Sequence, residues 1–455
     1  MLSAVVFLLF FAMFGSMLLG RKDQAYIWVF LSIIVFPPCI YFTKNPQISP
    51  QQLFLYVFFA ISFLWNRDAL SEAIFKHPLR IPLAMLAFSL LAAAFLNGEG
   101  AKGGYNAFRY YMENYAYLII AFVGGLNYKK INLEKNWLYP VVFFGILGAL
   151  EFASRVNIIF PFICRAFPYY DGYYDLLGSV SASRMYRTRI FITTTHPTVL
   201  GSIVCSALMF YTCRMKTLSL ARNKKWLVWG TLFLLVCLSG SRTAVVCAMM
   251  GLGIFAFMKV GIRARIMMLV LVGFLLTAII PRAIESFSVE GQGSSMSMRQ
   301  EQLLFSYLQF MKSPIYGNGV RYISKYVMER DTYNDRVADE ELGGLESVIF
   351  FQLIDYGLIG LVSYFLLFLL SFIYFFRRRR FTHAQAGLLI TCCFFVFACL
   401  SGEIGGNNSF AYMLMGYCMG ACRKEEEAEN EDSDEQKLIE NENAEEVKAE
   451  VGENV

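Results

Sequence analysis

Residues 346–380 read ESVIFFQLIDYGLIGLVSYFLLFLLSFIYFFRRRR. Between Ser347 and Phe376 the one charged side chain is Asp355. An apolar run of roughly 20 residues is long enough to cross a bilayer as a helix. Hydrocarbon offers no hydrogen bonds, so a crossing segment must satisfy its own backbone, which a helix does within one segment. The run ends on Arg377, Arg378, Arg379 and Arg380, and clustered Lys and Arg mark the cytoplasmic ends of membrane helices. This stretch therefore predicts a membrane helix whose far end faces the cytoplasm.

The pattern repeats along the chain. Thirteen apolar segments fall at roughly 1–19, 25–43, 53–65, 81–97, 108–126, 137–153, 191–213, 226–238, 243–258, 264–280, 346–376, 384–400 and 409–422. Apolar residues make up 57% of the chain and charged ones 16%, against about 45–50% and about 25% in a soluble domain. The blocks do not alternate polar and apolar residues, which argues against a membrane β-barrel. Segment 1–19 lacks a basic leader and a small-residue cleavage site, so it is expected to be a helix rather than a signal peptide. The expected fold class is all-α: a polytopic membrane domain over 1–422, with about 12–14 transmembrane helices and a large, partly helical outer loop.

Basic residues set the expected orientation. Arg21 and Lys22, then Arg67, Lys76 and Arg80, then Lys129, Lys130 and Lys135, and further clusters at 216–225, 259–265 and 377–380 fall in alternate loops. Those loops are expected on the cytoplasmic side. Loops 44–52, 98–107, 239–242 and 401–408, together with the long loops 154–190 and 281–345, are then outer. Residues 423–455 carry 14 acidic and 4 basic side chains, a net of −10, so the rest of the chain is +15 against a total of +5. With few large apolar residues, this tail is expected to be disordered and cytoplasmic.

Composition also narrows the chemistry. Most of the eleven cysteines, Cys39 and Cys205 among them, lie inside apolar blocks and read as small buried hydrophobes. Cys164 lies in a long loop and has no obvious partner in the sequence. No CxxC pair sits near a histidine cluster, and GxGxxG, Walker and HExxH patterns are absent, so no metal or nucleotide cofactor is expected.

Four constellations could carry a reaction. Arg184, Arg187 and Arg189 break the positive-inside trend at the mouth of segment 191–213; guanidinium forks hold phosphate or carboxylate bidentately, though arginines near an interface also snorkel to headgroups. His196 lies just inside the same segment, before Pro197, and an ionisable group within a membrane segment is a functional candidate; on structural grounds alone, Pro197 suits a first helical turn. Ser239-Gly240-Ser241-Arg242 is a short turn that must bring Arg242 to the membrane surface, with Ser241 as a capping candidate. In the large loop, Arg299 opens a run with apolar residues at helical spacing through Met311, which suits an amphipathic helix lying on the membrane. Pro314-Ile315-Tyr316-Gly317-Asn318-Gly319 follows as a turn. The loop closes at Glu346, which reads either as a general base at the interface or as a helix-start carboxylate favoured by the dipole.

Together these residues resemble the O-antigen polymerase and ligase superfamily of bacterial envelope glycosyltransferases, over roughly 150–400. The resemblance rests on Arg189 before the His196-Pro197 helix, the Ser239–Arg242 turn, Arg299 before Pro314–Gly319, and Glu346 before Asp355-Tyr356-Gly357-Leu358-Ile359-Gly360. It implies transfer of a glycan from undecaprenyl diphosphate on the outer face of the inner membrane, with no nucleotide sugar and no metal. It casts Arg184, Arg187, Arg189, Arg299 and Ser241 as substrate-binding, and Glu346, Arg242 and His196 as catalytic. The implied partners are the lipid-linked glycan and membrane lipids, with a chain-length regulator or flippase as a candidate; nothing points to nucleic acid. Ligases of the family carry a histidine where this chain has Glu346, which favours a polymerase. The alternatives are an O-antigen ligase transferring glycan to a lipid acceptor, or a lipid-linked oligosaccharide flippase or transporter, for which internal repeats and midplane breaks would be expected. A scaffold acting through the acidic tail is the non-enzymatic alternative.

Overall fold

In a computed structural model of the chain, the described residues are 2–20, 25–44, 47–131, 133, 138–157, 159–170, 183–184, 187–218, 220–267, 295–323, 347–403 and 406–453. The molecule is an all-α membrane protein. Seventeen helices can be followed: α1 Leu2–Leu19, α2 Ala25–Val35, α3 Pro50–Trp65, α4 Arg67–Phe75, α5 Arg80–Leu96, α6 Gly100–Asn114, α7 Ala116–Leu126, α8 Tyr128–Ile131, α9 Leu138–Ser154, α10 Ile159–Ala166, α11 Pro197–Arg214, α12 Arg222–Leu238, α13 Arg242–Lys259, α14 Ser295–Phe310, α15 Val348–Arg377, α16 Thr382–Ser401 and α17 Asn407–Glu453. Strands among the described residues are three antiparallel two-residue pairs: β1 Ile40–Tyr41 with β4 Tyr169–Tyr170, β2 Thr43–Lys44 with β3 Gln47–Ile48, and β5 Ser183–Arg184 with β6 Arg187–Thr188.

By length and apolarity α13, α15 and α16 can each cross a membrane. The pairs α3–α4 and α9–α10, each bent by 114°, bring the number to five if each pair is one span; α1, α2 and α5 are shorter apolar helices. Several expected segments are shorter as helices than as apolar runs. Segment 25–43 stops being helical at Val35, ahead of Pro37 and Pro38, which cannot continue a helix. Segment 108–126 is divided at Tyr115 between α6 and α7, and segment 191–213 becomes helical at Pro197. Most of segment 264–280 lies outside the described residues. Many large apolar side chains point outward, including Leu8, Phe11, Phe88, Phe95, Leu234 and Met249. Such a surface suits lipid as solvent.

At the centre, α7 and the first half of α17 approach to backbone contact. Gly416 and Gly420 form a GxxxG step on α17; a methyl at either would sit 2.3 Å from a carbonyl oxygen of α7. Small residues at this spacing let membrane helices pack closely. Around this pair lie α2, α11 and α16, and α15 packs on α5 and α16.

The acidic tail departs from the expected disorder: α17 runs unbroken to Glu453. It grows from a buried helix, so no new nucleus is needed, and Glu, Lys and Ala are strong helix formers. Its first charged turns are also held. Arg378 pairs with Glu426 at 2.9 Å, Arg380 with Glu429 at 2.6 Å, Arg423 with Glu72 at 2.8 Å, and His383 Nδ1 meets Glu425 at 2.8 Å. These contacts define one end of the bundle, the tail end. Residues 97–100, 189–196, 239–242, 314–321 and 402–408 gather at the other.

Candidate active site

The site end is assembled around a buried arginine. Glu151, near the end of α9, accepts the backbone N–H groups of Phe191 at 3.1 Å and Ile192 at 2.9 Å. Asn157 donates to the Ile192 carbonyl at 2.8 Å. These bonds let a non-helical stretch, with Ile192 at φ 52°, lie buried without orphaned backbone groups. The Ile190 N–H donates to the Leu238 carbonyl at 3.3 Å, which lays residue 189 against the turn between α12 and α13. Arg189 is 9% exposed. Its Nε donates to the Ser239 carbonyl at 3.3 Å and its guanidinium to Thr198 Oγ1 at 3.4 Å. Gly240, at φ +62°, makes room: a methyl there would stand 2.8 Å from Arg189 Cγ.

Two helices begin beside this arginine. His196 caps α11, its Nδ1 accepting the Thr198 N–H at 3.1 Å, with Pro197 in the first turn. Ser241 caps α13, its hydroxyl accepting the Ala244 N–H at 3.3 Å. The two helix starts touch, because a methyl on Gly201 would lie 3.2 Å from Ser241 Cβ and 2.7 Å from Ala244 Cβ. Arg242 is the first residue of α13 and is exposed. Helix N-termini favour anions through their unpaired N–H groups and dipole. Two N-termini, Arg189 and Arg242 therefore make one locus of positive potential. Below it runs an apolar cleft lined by Phe30, Ile34, Val141, Phe144, Leu200 and Ile203, with Thr193 and Thr194 also on its wall.

A second polar cluster was not foreseen. Helix α15 is broken at Gly357 (φ 64°), and the segment 314–319 docks into the break. Leu358 N–H donates to the Pro314 carbonyl at 2.9 Å, and the Asn318 and Gly319 N–H groups donate to the carbonyls of Ile354 and Asp355. Gly317 allows the approach; a methyl there would lie 2.2 Å from the Asp355 carbonyl oxygen. Asp355 accepts the Ile323 N–H at 3.0 Å. Close by, Glu113 takes both Arg109 and Arg321, and Arg321 lies 5.3 Å above the Tyr110 ring. Burial works against the Arg321 charge, but Glu113 and the neighbouring phenols hold its pKa above the ordinary value. Glu403, in the loop before α17, accepts the hydroxyls of Tyr364 and Tyr412, both at 2.7 Å. Burial raises the Glu403 pKa, against the hydrogen bonds from Tyr412, Tyr364 and Asn408. The signal for Glu113 was present in the sequence: it is a carboxylate inside segment 108–126, and charges there are costly unless paired. The clusters join where Ser401 Oγ donates to Thr243 Oγ1 at 2.9 Å, two residues from Glu403 and one from Arg242.

Residues 226–365 match the family model described as O-antigen ligase. Over this stretch the chain is similar to the O-antigen polymerase and ligase superfamily. No curated protein matches the chain. The matched segment contains the 239–242 turn and the junction of 314–319 with Gly357, and the match supports a glycan-transfer role in polysaccharide biosynthesis for this multi-pass membrane protein.

The expected site residues divide as follows. Arg189, His196, Ser241 and Arg242 come together at the two helix starts. Ser241 and His196 do so as caps, and the His196 Nδ1 is engaged by a backbone N–H. Arg184 and Arg187 face each other across the β5–β6 pair, on the strands that lead to Arg189; their side chains lie outside the described residues. Arg299 is on α14, its side chain likewise outside them. Helix α14 itself turns Leu303, Leu304, Tyr307 and Leu308 outward and buries Gln302, Ser306 and Gln309, an arrangement that suits a helix lying in the membrane surface. Glu346 lies outside the described residues; α15 begins at Val348, capped by Ser347.

Proposed function

We propose that this protein polymerises undecaprenyl-diphosphate-linked oligosaccharide repeat units into a surface polysaccharide, on the outer face of the bacterial inner membrane. The observation that carries the proposal is the locus where Arg189, Arg242 and the starts of α11 and α13 converge above an apolar cleft. A diphosphate needs fixed positive potential, and a polyprenyl chain needs an apolar wall beside it. The hydroxyl of the acceptor sugar attacks the anomeric carbon of the donor, and the bond to the lipid diphosphate breaks. Arg189 and Arg242 neutralise the departing diphosphate, while a carboxylate takes the hydroxyl proton. We assign that proton to Glu346. The exchange of the ligase histidine for Glu346 favours a polymerase; the description of the matching family as O-antigen ligase keeps ligation as the second reading. The surface-glycan ladder of a deletion strain tests both. Single-repeat glycans on the surface are expected from loss of a polymerase. Polymer left on the lipid carrier would mean that a ligase was lost.

A further inference from the structure

Cys164 has a partner that the sequence does not suggest. Its Sγ lies 3.9 Å from Cys39 Sγ, across 125 residues of chain, and both side chains are buried. Cys39 was expected within a membrane segment, but α2 stops at Val35 and Pro37-Pro38 carry the chain out to β1 at the site end. The two segments are held together by more than the thiols. β1, directly after Cys39, pairs with β4, five residues after Cys164. Phe167 is set among Phe7, Phe10, Phe36 and Phe42, with ring centroids 5.1–6.0 Å away. Helix α10, which carries Cys164, packs on α1.

We propose that Cys39 and Cys164 form a structural disulfide that pins the start of the loop leading to Arg184, Arg187 and Arg189. The proposal rests on the outward-facing reading of the site end, because disulfides persist in oxidising compartments. Two thiols become one Sγ–Sγ bond; two electrons and two protons pass to the disulfide of a thiol–disulfide oxidant, which leaves as a dithiol. Exchange proceeds through a mixed disulfide on one cysteine, attacked by the thiolate of the other. Both sulfurs are shielded once α10 has packed on α1, so the bond forms while these helices are coming together. The sulfurs must close from 3.9 Å to about 2.05 Å, a shift that side-chain rotation with slight backbone adjustment can supply. The outcome is a loop fixed at one end by a covalent bond and at the other by the Arg189 contacts.

Peptide mapping of the full chain tests this. Cells are quenched in acid, thiols are blocked with N-ethylmaleimide under denaturing conditions, and the protein is digested without reductant. One linked species is expected, joining the Cys39 and Cys164 peptides, lighter by two hydrogens than their sum and split by reductant. It should vanish in Cys39→Ala. Reductant should lower the melting temperature of the wild type and leave that of Cys39→Ala unchanged. A Lys312→Cys variant, labelled with a membrane-impermeant maleimide in spheroplasts, reports orientation independently. Alkylated Cys39 and Cys164 together with outside labelling at position 312 would overturn the disulfide alone. Alkylated thiols with labelling only after permeabilisation would overturn both the disulfide and the outward-facing reading. A link that appears only after an oxidant is added to purified protein also counts against the proposal, since it reports proximity and nothing more.

Discussion

Two sets of arginines in the bundle are used differently, and the division is not simply by end, since Arg109 and Arg321 at the site end also meet a carboxylate, Glu113. At the tail end Arg378, Arg380 and Arg423 each meet a carboxylate, two of them from the tail itself, and these pairs fasten α17 to its neighbours. At the site end Arg189 is laid on a turn carbonyl and a threonine hydroxyl, and Arg242 stands exposed on a helix start. An ion pair whose partner is built into the fold is a fastening. An exposed guanidinium on the first residue of a helix, as Arg242 is, is placed to meet a charge that arrives from outside. Residue type alone does not separate the two uses.

The largest expected effect comes from breaking the scaffold of the site end. Gly317→Ala places a methyl 2.2 Å from a backbone oxygen, at a φ of +79° that alanine disfavours. We expect a loss of about 3 kcal/mol or more, seen as loss of the monodisperse peak in detergent size-exclusion chromatography. Gly230→Ala, where nothing lies within 4 Å, should behave as wild type. Equal behaviour of the two variants would remove the docked segment from the account.

Next comes the arriving charge. Arg242 is exposed, so Arg242→Lys should leave protein level and melting temperature unchanged. An ammonium cannot reproduce the bidentate fork. Polymer formation should fall by about 10²-fold, the scale of losing one preorganised transition-state contact. Full-length polymer from this variant would place Arg242 with the fastenings.

The tail end also contains a pH-sensitive residue that the site end does not need. His77, in the loop between α4 and α5, is buried with its Nδ1 accepting the Leu79 N–H. Burial pushes its pKa down from 6.5 to about 3. The neutral ring is the folded form, so this stability is complete above pH 6.5 and is lost as pH falls toward 3. Each unit below 6.5 costs about 1.4 kcal/mol. Melting temperature should drop between pH 7 and pH 5.5, before carboxylates titrate, and His77→Asn should flatten that slope. An unchanged slope would show that some other group titrates in this window.

Much of the fold was legible because lipid imposes a simple demand on sequence: a long apolar run must be a helix. The run at 346–376 was enough to read α15. Arg189 and the Ser239–Arg242 turn were each legible as charges at membrane edges, but their contact was not, because it depends on the backbone bond from Ile190 to Leu238. Other features were hidden for physical reasons. The break at Gly357 is satisfied by backbone from 314–319, and no local pattern reveals a partner forty residues away. Cys39 looked like a membrane residue because hydropathy does not register where Pro37 ends a helix. The tail looked disordered because its composition has no core of its own; its order comes from the helix it extends and from arginines on other loops.

The smallest effect tests the fastenings. Arg378 and Glu426 are each about a third exposed, and Arg380 and Glu429 about half or more. Solvent and salt screen such pairs, and exposed ion pairs contribute about 0.2–1 kcal/mol each. Arg378→Ala with Arg380→Ala should therefore lower the melting temperature slightly, by an amount that shrinks as salt is raised. The two pairs together contribute about 0.4–2 kcal/mol of stability, and neither touches the site end, so polymer length and yield should stay close to wild type. Removing residues 431–455 should do less still, because the pairs to Glu425, Glu426 and Glu429 precede the cut. The sharper outcome is a variant that keeps its melting temperature but makes shorter polymer. In that case the tail would be setting chain length through a partner, and the tail-end arginines would belong with the functional ones.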